Sequence, residues 1–281
     1  MNTQDILEQA RQQVHARTIT TAQRRERPWQ WAFAGLALTL ISGVWFLPGS
    51  TLAARLHLVV QGVCAQAHFL YVGPLQMPLC ARNTGIYAGF LGSLLYLLAL
   101  GRSRAGRMPR LPLVMLLAGG VIAMAIDGTN SLLLDMGNHN LYTPHNILRL
   151  ITGLLMGTSM AVFLLLLFNL SLRANVRTEQ RVLGGWHEYA GALLADTLLF
   201  GLIWTGPSAL YYPLAIFSVL GIVGVLFTTN VFVVAMVSGF ENRLRRLPQL
   251  ARPATIALLL TACELGLLAW LRSWMEMSMP M

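Results

Sequence analysis

The chain has 281 residues, of which 56% are hydrophobic and only 11% are charged. A soluble globular domain carries about 25% charged residues, so this composition excludes a soluble body of this size. The net charge of +9 comes from 20 basic residues, all of them arginine, against 11 acidic residues. The arginines lie between long apolar runs, as expected for loop residues that set membrane topology and not for a surface that binds nucleic acid. We therefore expect no nucleic-acid partner.

Seven apolar runs are long enough, at about 20 residues each, to cross the hydrocarbon core of a bilayer. The sequence therefore predicts an all-α polytopic membrane protein, a bundle of about seven transmembrane helices in contact with lipid. Residues 1–29 are predicted to be a basic cytoplasmic tail, and residues 30–281 an integral membrane domain. The predicted spans, in chain order, are 31–48, 84–101, 111–134, 148–172, 189–206, 211–238 and 253–271.

The arginines predict how the bundle is oriented. When the N-terminus is placed inside, 16 of the 20 arginines fall in cytoplasmic segments. The positive-inside rule then places the C-terminus outside. Segment 51–73 is moderately apolar, but if it crossed the membrane the four arginines of segment 102–110 would move outside. We therefore interpret 51–73 as an amphipathic or re-entrant element on the outer face. The four outer arginines are Arg55, Arg82, Arg149 and Arg272.

Asp127 is a carboxylate within the third predicted span, where an uncompensated charge is costly. Arg82 and Arg149 lie at the outer mouths of the second and fourth spans, at a similar depth. One interpretation is a buried Asp–Arg lock that joins these three spans. The other is an outward-facing polar pocket, in which the arginines bind an anionic group and Asp127 orients it or exchanges protons.

These residues are the candidates for a functional site on the outer side. If the protein is an enzyme, a question that the sequence leaves open, the catalytic candidates are Asp127, Arg82 and Arg149. The candidate ligand-binding residues are Gln76, Arg82, Asn130, Asn146 and Arg149.

Cys64 and Cys80 both fall on the predicted outer side, where an oxidising compartment permits a disulfide. The alternatives are free structural thiols, or thiols with metal or redox chemistry. The outer histidines and cysteines match no compact ligand spacing, so we predict no metal site. No motif implies a particular cofactor.

The stretch PLCARNTGIYAGF, residues 78–90, resembles the signature of an uncharacterised prokaryotic membrane family, the domain-of-unknown-function family numbered 2085. The resemblance covers roughly residues 60–160 and implies an outward-facing site in a multi-pass protein of the prokaryotic plasma (inner) membrane. It implies no reaction. The matching residues are Cys64 and Gln66; Gln76, Pro78, Leu79, Cys80, Ala81, Arg82, Thr84, Gly85, Ile86 and Tyr87; Asp127 and Gly128; and Asn146, Arg149, Thr152 and Gly153.

The chain also departs from that family pattern. Ala65 stands where the family has a histidine, and Asn83 stands where it has a second cysteine. The segment between Cys64 and Gln76 is shorter than in the family pattern. Any metal or thiol chemistry of that Cys/His set would therefore lack half of its residues here, which favours the arginines and Asp127 as the important groups.

Three functions remain open on the sequence. The first is a membrane-embedded site for an anionic or lipid-linked ligand. The second is a non-catalytic scaffold, or a subunit that packs against other membrane subunits. The third, weaker hypothesis is a small transporter or proton path that uses Asp127, Asp196 and Glu264, which requires these acids to share a cavity.

Overall fold

The structure is a computed structural model that describes residues 26–64 and 68–278. The predicted tail therefore lies largely outside the described residues. The chain forms an all-α bundle with two small two-stranded sheets. Its helices are α1 (Glu26–Phe46), α2 (Leu52–Val60), α3 (Ala81–Ala99), α4 (Leu111–Asp135), α5 (Asn146–Leu172), α6 (Trp186–Thr205), α7 (Tyr211–Val237) and α8 (Ala251–Ser278). The strands are β1 (Tyr71–Val72), β2 (Leu75–Gln76), β3 (Ala105–Arg107) and β4 (Arg177–Arg181).

Each of the seven predicted spans falls on one of these helices. Among the described residues, five are long and apolar enough to cross a membrane: α1, α4, α5, α7 with the turn before it, and α8 with the turn before it. The two others, α3 and α6, have 19 and 20 residues. Their apolar character is weakened by polar residues, Arg82 and Asn83 in α3 and Glu188 and Asp196 in α6. The structure thus supports a membrane-spanning bundle.

The most extensive helix contact among the described residues joins α3 and α5, and four glycines bring the two backbones together. A Cβ added at Gly85 would lie 2.5 Å from the carbonyl oxygen of Leu150, and one added at Gly153 would lie 2.4 Å from that of Arg82. Gly89 and Gly157 continue the same contact one helical turn further along each helix. Only glycine leaves room for backbones this close, as in the small-residue contacts of membrane helices.

Three connecting segments and the start of α1 meet at one end of the bundle. Strand β3, between α3 and α4, pairs in parallel with β4, between α5 and α6. Arg173, at the end of α5, forms a bridge with Leu244 in the α7–α8 connection. Thr255, near the start of α8, donates a hydrogen bond of 3.4 Å to the carbonyl oxygen of Trp29 in α1. These are the segments that the arginine distribution predicts to be cytoplasmic.

The opposite end of the bundle holds the segment that we predicted not to cross. Helix α2 has nine residues, about 14 Å at 1.5 Å per residue, too short for a hydrocarbon core of about 30 Å. Arg272 of α8 donates to the carbonyl oxygen of Gln61 at 2.7 Å, just after α2. Tyr211 of α7 donates to the carbonyl oxygen of Gln76 in the β1–β2 hairpin at 2.8 Å. A shared apolar core holds these parts together, with Val60, Val72, Met77, Leu79 and Tyr211 fully buried.

The glycine contact yields a stability prediction. In Gly157→Ala the new Cβ would lie 2.3 Å from the carbonyl oxygen of Ile86, so α3 and α5 must move apart. We expect a loss of about 1–3 kcal/mol, the usual cost of overpacking a tight core. The measurement is the thermal unfolding midpoint in detergent. Gly119→Ala in α4 is the control, because nothing lies within 4 Å of its added Cβ. Equal midpoints for the two variants would contradict the prediction.

Candidate functional site

Arg82 and Asp127 form an ion pair between the first turn of α3 and the interior of α4. Arg82 Nη2 donates to Asp127 Oδ2 at 2.5 Å, and Arg82 Nε donates to the same oxygen at 3.1 Å. Arg82 Nη2 also lies 3.1 Å from the carbonyl oxygen of Asp127. The Asp127 side chain is 1% exposed and that of Arg82 is 17% exposed. The pair is therefore a buried, charge-assisted contact between two helices.

Ser131 connects this ion pair to Arg149. It lies one turn after Asp127 on α4, and its Oγ accepts a hydrogen bond from Arg82 Nη2 at 2.8 Å. Nε and Nη2 of Arg149 both reach the same Oγ, at a long 3.4 Å. Nη1 of Arg149 donates to Asn146 Oδ1 at 3.1 Å. The residue is 5% exposed, so the guanidinium of Arg149 is buried against neutral groups.

Asn130 folds the loop after α4 over the carboxylate. Its Oδ1 accepts from the backbone N–H of Leu141 at 2.6 Å, and its Nδ2 donates to the carbonyl oxygen of Tyr142 at 2.8 Å. Tyr142 Oη then reaches Asp127 Oδ1 at 3.0 Å. Burial, and secondarily the hydrogen bond to Asp127, raise the pKa of Tyr142, so the phenol stays protonated and donates. Both oxygens of Asp127 are thus engaged.

Ser131 and Tyr142 both belong to this cluster, and neither was among the candidate site residues. Tyr142 is the one that lies outside a helix. It lies in a polar loop, and its contact with Asp127 depends on the loop conformation that Asn130 imposes. The available signal was the position of Asn130, three residues after Asp127 and so on the same face of α4. A buried asparagine next to a loop indicates a loop anchor, and such an anchor brings loop side chains to that helix face.

The remaining candidates are placed at the edge of the cluster. Asn146 bridges Arg149 and the hairpin region, because its Nδ2 donates to the carbonyl oxygen of Phe69 at 2.7 Å. Gln76 accepts a hydrogen bond from Tyr211 through its backbone carbonyl, and this bond attaches the β1–β2 hairpin to α7. Beside the cluster, His68 Nε2 lies 3.2 Å from Asp135 Oδ2, with side chains 27% and 45% exposed. The structure therefore brings Arg82, Asp127, Asn130, Asn146 and Arg149 together, and leaves Gln76 on the neighbouring hairpin.

The disulfide considered for Cys64 and Cys80 is not present: neither cysteine is oxidised to a disulfide. The two thiols lie close enough for a hydrogen bond, and this bond, followed by burial, raises the pKa of Cys80. Cys80 is therefore a protonated structural thiol at the start of α3. Within the described ranges, no group of three or more His, Cys, Asp or Glu side chains lies together as a metal site would require.

The charges of the cluster do not balance. Two guanidinium groups, that of the partly buried Arg82 and that of the buried Arg149, lie near the buried carboxylate of Asp127, while Asp135 is exposed at the edge. A carboxylate that already accepts from Arg82 and Tyr142 has little capacity left to act as a base. The chemistry that this arrangement offers is binding of negative charge near Arg149.

The fold and this cluster define a helical membrane protein with a buried Arg/Asp site at one end of the bundle. Residues 64–163 match the family described as "Predicted membrane protein (DUF2085)", which confirms the family resemblance of the sequence. The match covers somewhat more than a third of the chain and includes Arg82, Asp127 and Arg149. No curated protein and no solved structure matches the chain.

The ion pair yields the second prediction. Asp127→Asn leaves the guanidinium of Arg82 buried without a counter-charge, so we expect stability to fall by about 3–5 kcal/mol. The readout is the folded yield and the unfolding midpoint of purified protein. Asp135→Asn removes an exposed carboxylate paired with His68 and should cost less than about 1 kcal/mol. An Asp127→Asn protein as stable as Asp135→Asn would show that the pair is not a lock.

Proposed function

We propose that the chain is a seven-span protein of the prokaryotic plasma (inner) membrane, with its N-terminus in the cytoplasm and its C-terminus outside. One observation supports this topology: the same end of the bundle holds β3, β4, the α7–α8 connection and the start of α1. With these elements on one side, each of the helices α3 to α8 crosses the membrane once. The arginine-rich segments lie at that end, which the positive-inside rule assigns to the cytoplasm. Integral membrane domain 30–281 includes α3 and α6 as full spans.

Labelling of introduced cysteines tests this topology. In a background with Cys64, Cys80 and Cys263 replaced by serine, Asn138→Cys and Ser208→Cys should react with a membrane-impermeant maleimide in intact cells. Met108→Cys and Thr178→Cys should react only after the cells are permeabilised. All four positions are exposed, so access depends on the side of the membrane. Labelling of Met108→Cys in intact cells would contradict a full crossing by α3.

We propose further that the outward-facing cluster binds an anionic group of a lipid or lipid-linked ligand at Arg149. The observation that supports this proposal is the buried guanidinium of Arg149, whose hydrogen-bond partners are neutral: Ser131 at 3.4 Å and Asn146 at 3.1 Å. Asp127, the nearest buried acid, is already occupied by Arg82 and Tyr142. A buried charge needs a partner, and a guanidinium offers a planar fork of donors that fits a phosphate or carboxylate.

The position of Arg149 favours a lipid-borne anion over one free in solution. Arg149 lies in the first turn of α5, at the predicted outer mouth of a span, where lipid phosphates lie. A ligand would replace the two long contacts to Ser131 and the contact to Asn146. In this proposal Arg149 binds the anion and the neighbouring Asn146 also contacts it. The Arg82–Asp127 ion pair holds α3 and α4 together and has a structural role. Asp127 is then a positioning residue.

A non-catalytic scaffold is the second candidate, and a specific observation favours it. Asp127 is 1% exposed and both of its oxygens accept hydrogen bonds, as expected for a purely structural cluster. In that case Arg149 serves only to join α5 to α4 through Ser131, and the exposed apolar helix faces contact lipid or other membrane subunits. The two candidates differ in whether removing the charge of Arg149 changes lipid binding.

Native mass spectrometry with defined lipids makes that distinction. We expect the purified protein to retain phosphatidylglycerol more strongly than phosphatidylcholine. Arg149→Gln should weaken phosphatidylglycerol binding about tenfold or more, because a hydrogen bond to a charged group contributes about 1.5–3 kcal/mol. Arg110→Gln, at the exposed opposite end of the bundle, is the matched control. If Arg149→Gln folds and retains phosphatidylglycerol like the control, the scaffold is the better description.

A further inference from the structure

Asp196 lies inside the bundle, where α3, α5 and α6 meet, and it belongs to no part of the Arg/Asp cluster. The residue is 5% exposed. Its Oδ2 lies 2.6 Å from Thr158 Oγ1 of α5, and that hydroxyl lies 2.7 Å from Ser93 Oγ of α3. Three polar side chains from three helices thus form one chain of short hydrogen bonds, with the carboxyl group at its end.

The second oxygen of this carboxyl group has no partner in the part of the chain that the structure describes. Asp196 Oδ1 is buried and makes no hydrogen bond with any described residue. Asp196 also takes part in none of the ion pairs formed among the described residues, unlike Asp127, Asp135, Glu188 and Glu276. An ionised carboxylate at this position would therefore be buried with one hydrogen bond and no counter-charge, which is among the most costly arrangements in a protein interior.

The groups that face Asp196 from the neighbouring elements do not supply a counter-charge. On α6 itself Tyr189 interacts with it, and on α3 Tyr96 approaches α6 at Gly191. Strand β1, which also contacts α6, carries Tyr71, and α5 presents Thr158. The nearest guanidinium along α3 and its connection, that of Arg102, is bonded to Glu188 at the start of α6.

We propose that Asp196, Thr158 and Ser93 form a proton-binding site, in which the carboxyl group of Asp196 is protonated at neutral pH. Toward an ionised carboxylate the Thr158 hydroxyl donates to Oδ2 at 2.6 Å. In the neutral acid the proton lies on Oδ2, so this bond is reversed and the Thr158 hydroxyl donates instead to Ser93 at 2.7 Å. Oδ1 is then the carbonyl oxygen of a neutral acid, and its lack of a partner costs far less than an unpaired charge. The ligand of this site is a proton, exchanged without any other change of bonding.

The site also makes helix packing depend on proton occupancy. Removal of the proton at high pH leaves a negative charge at the junction of α3, α5 and α6, where only Thr158 can stabilise it. We expect the wild-type bundle to lose stability there as pH rises. In Asp196→Asn the side chain keeps its shape and stays neutral, so this part of the pH dependence should disappear.

Infrared spectroscopy of the full-length protein in lipid tests the site directly. A protonated carboxylic acid gives a carbonyl band above the amide I region that shifts down in D2O. We expect such a band at neutral pH, with one component lost in Asp196→Asn. Glu264→Gln is the matched control, because it removes another acid of the bundle, one bonded to Asn230 at 2.8 Å, and should keep that component. An identical carbonyl region in wild type and Asp196→Asn would overturn the proposal.

Thr158→Val provides a second test if Asp196→Asn does not fold. This variant has nearly the same shape but cannot accept the proton of Asp196. The carbonyl band should move to higher wavenumber, because the acid loses its hydrogen bond. A band with unchanged position in Thr158→Val would also overturn the proposal. Both tests are independent of anion binding at Arg149, so failure of one proposal leaves the other in place.

Discussion

The register in which α3 and α5 touch is the constraint on which the polar cluster depends. Gly85 and Gly89 lie against Gly153 and Gly157 with almost no space between the backbones. Arg82 precedes this contact by one turn on α3, and Arg149 precedes it by one turn on α5. The two helices therefore carry two guanidinium groups side by side at the same level, and their repulsion lowers the stability of the buried cluster unless an anion separates them.

Helix α4 supplies the hydrogen-bond acceptors for these two arginines. Asp127 and Ser131 are four residues apart, so both face the crossing, and one neutralises Arg82 while the other accepts from both arginines. Asn130 on the same helix directs the following loop back onto the carboxylate through Tyr142. One negative charge cannot balance two positive ones, and the proposal of an anion at Arg149 rests on this remaining positive charge.

Much of this arrangement could be predicted from residue types alone. A carboxylate inside an apolar run must find a partner, and the sequence offered two arginines at the mouths of neighbouring spans, Arg82 and Arg149. The structure shows that the partner is Arg82. The place of segment 51–73 followed from the arginine distribution, and α2 is indeed too short to cross. Periodicity and charge describe helices well, because each helix face repeats along the sequence.

What the sequence did not reveal depends on loops and on precise distances. Tyr142 reaches Asp127 only because the loop after α4 folds back, and a periodic sequence pattern does not predict the conformation of a loop. The thiols of Cys64 and Cys80 are neighbours, yet no disulfide joins them. The three membrane acids were considered as one path, but they bind separate partners: Asp127 pairs with Arg82, Asp196 with Thr158, and Glu264 with Asn230. Among the described residues, no side-chain hydrogen bond joins one of these three acids to another.

The glycine contact also limits how the bundle can move. Helices whose backbones touch over two turns cannot roll or slide past each other without a collision of carbonyl groups, so α3 and α5 form one rigid unit. Arg82 and Arg149 lie at one end of this unit, and Ser93 and Thr158 lie nine to eleven residues further along it. A displacement of the unit relative to α4 changes the contact between Arg82 and Asp127, and a displacement relative to α6 changes the distance between Thr158 and Asp196. The Arg/Asp cluster and the contact of Asp196 with Thr158 are thus both attached to the same pair of helices. Glycines make this pair rigid, because they let the two backbones touch.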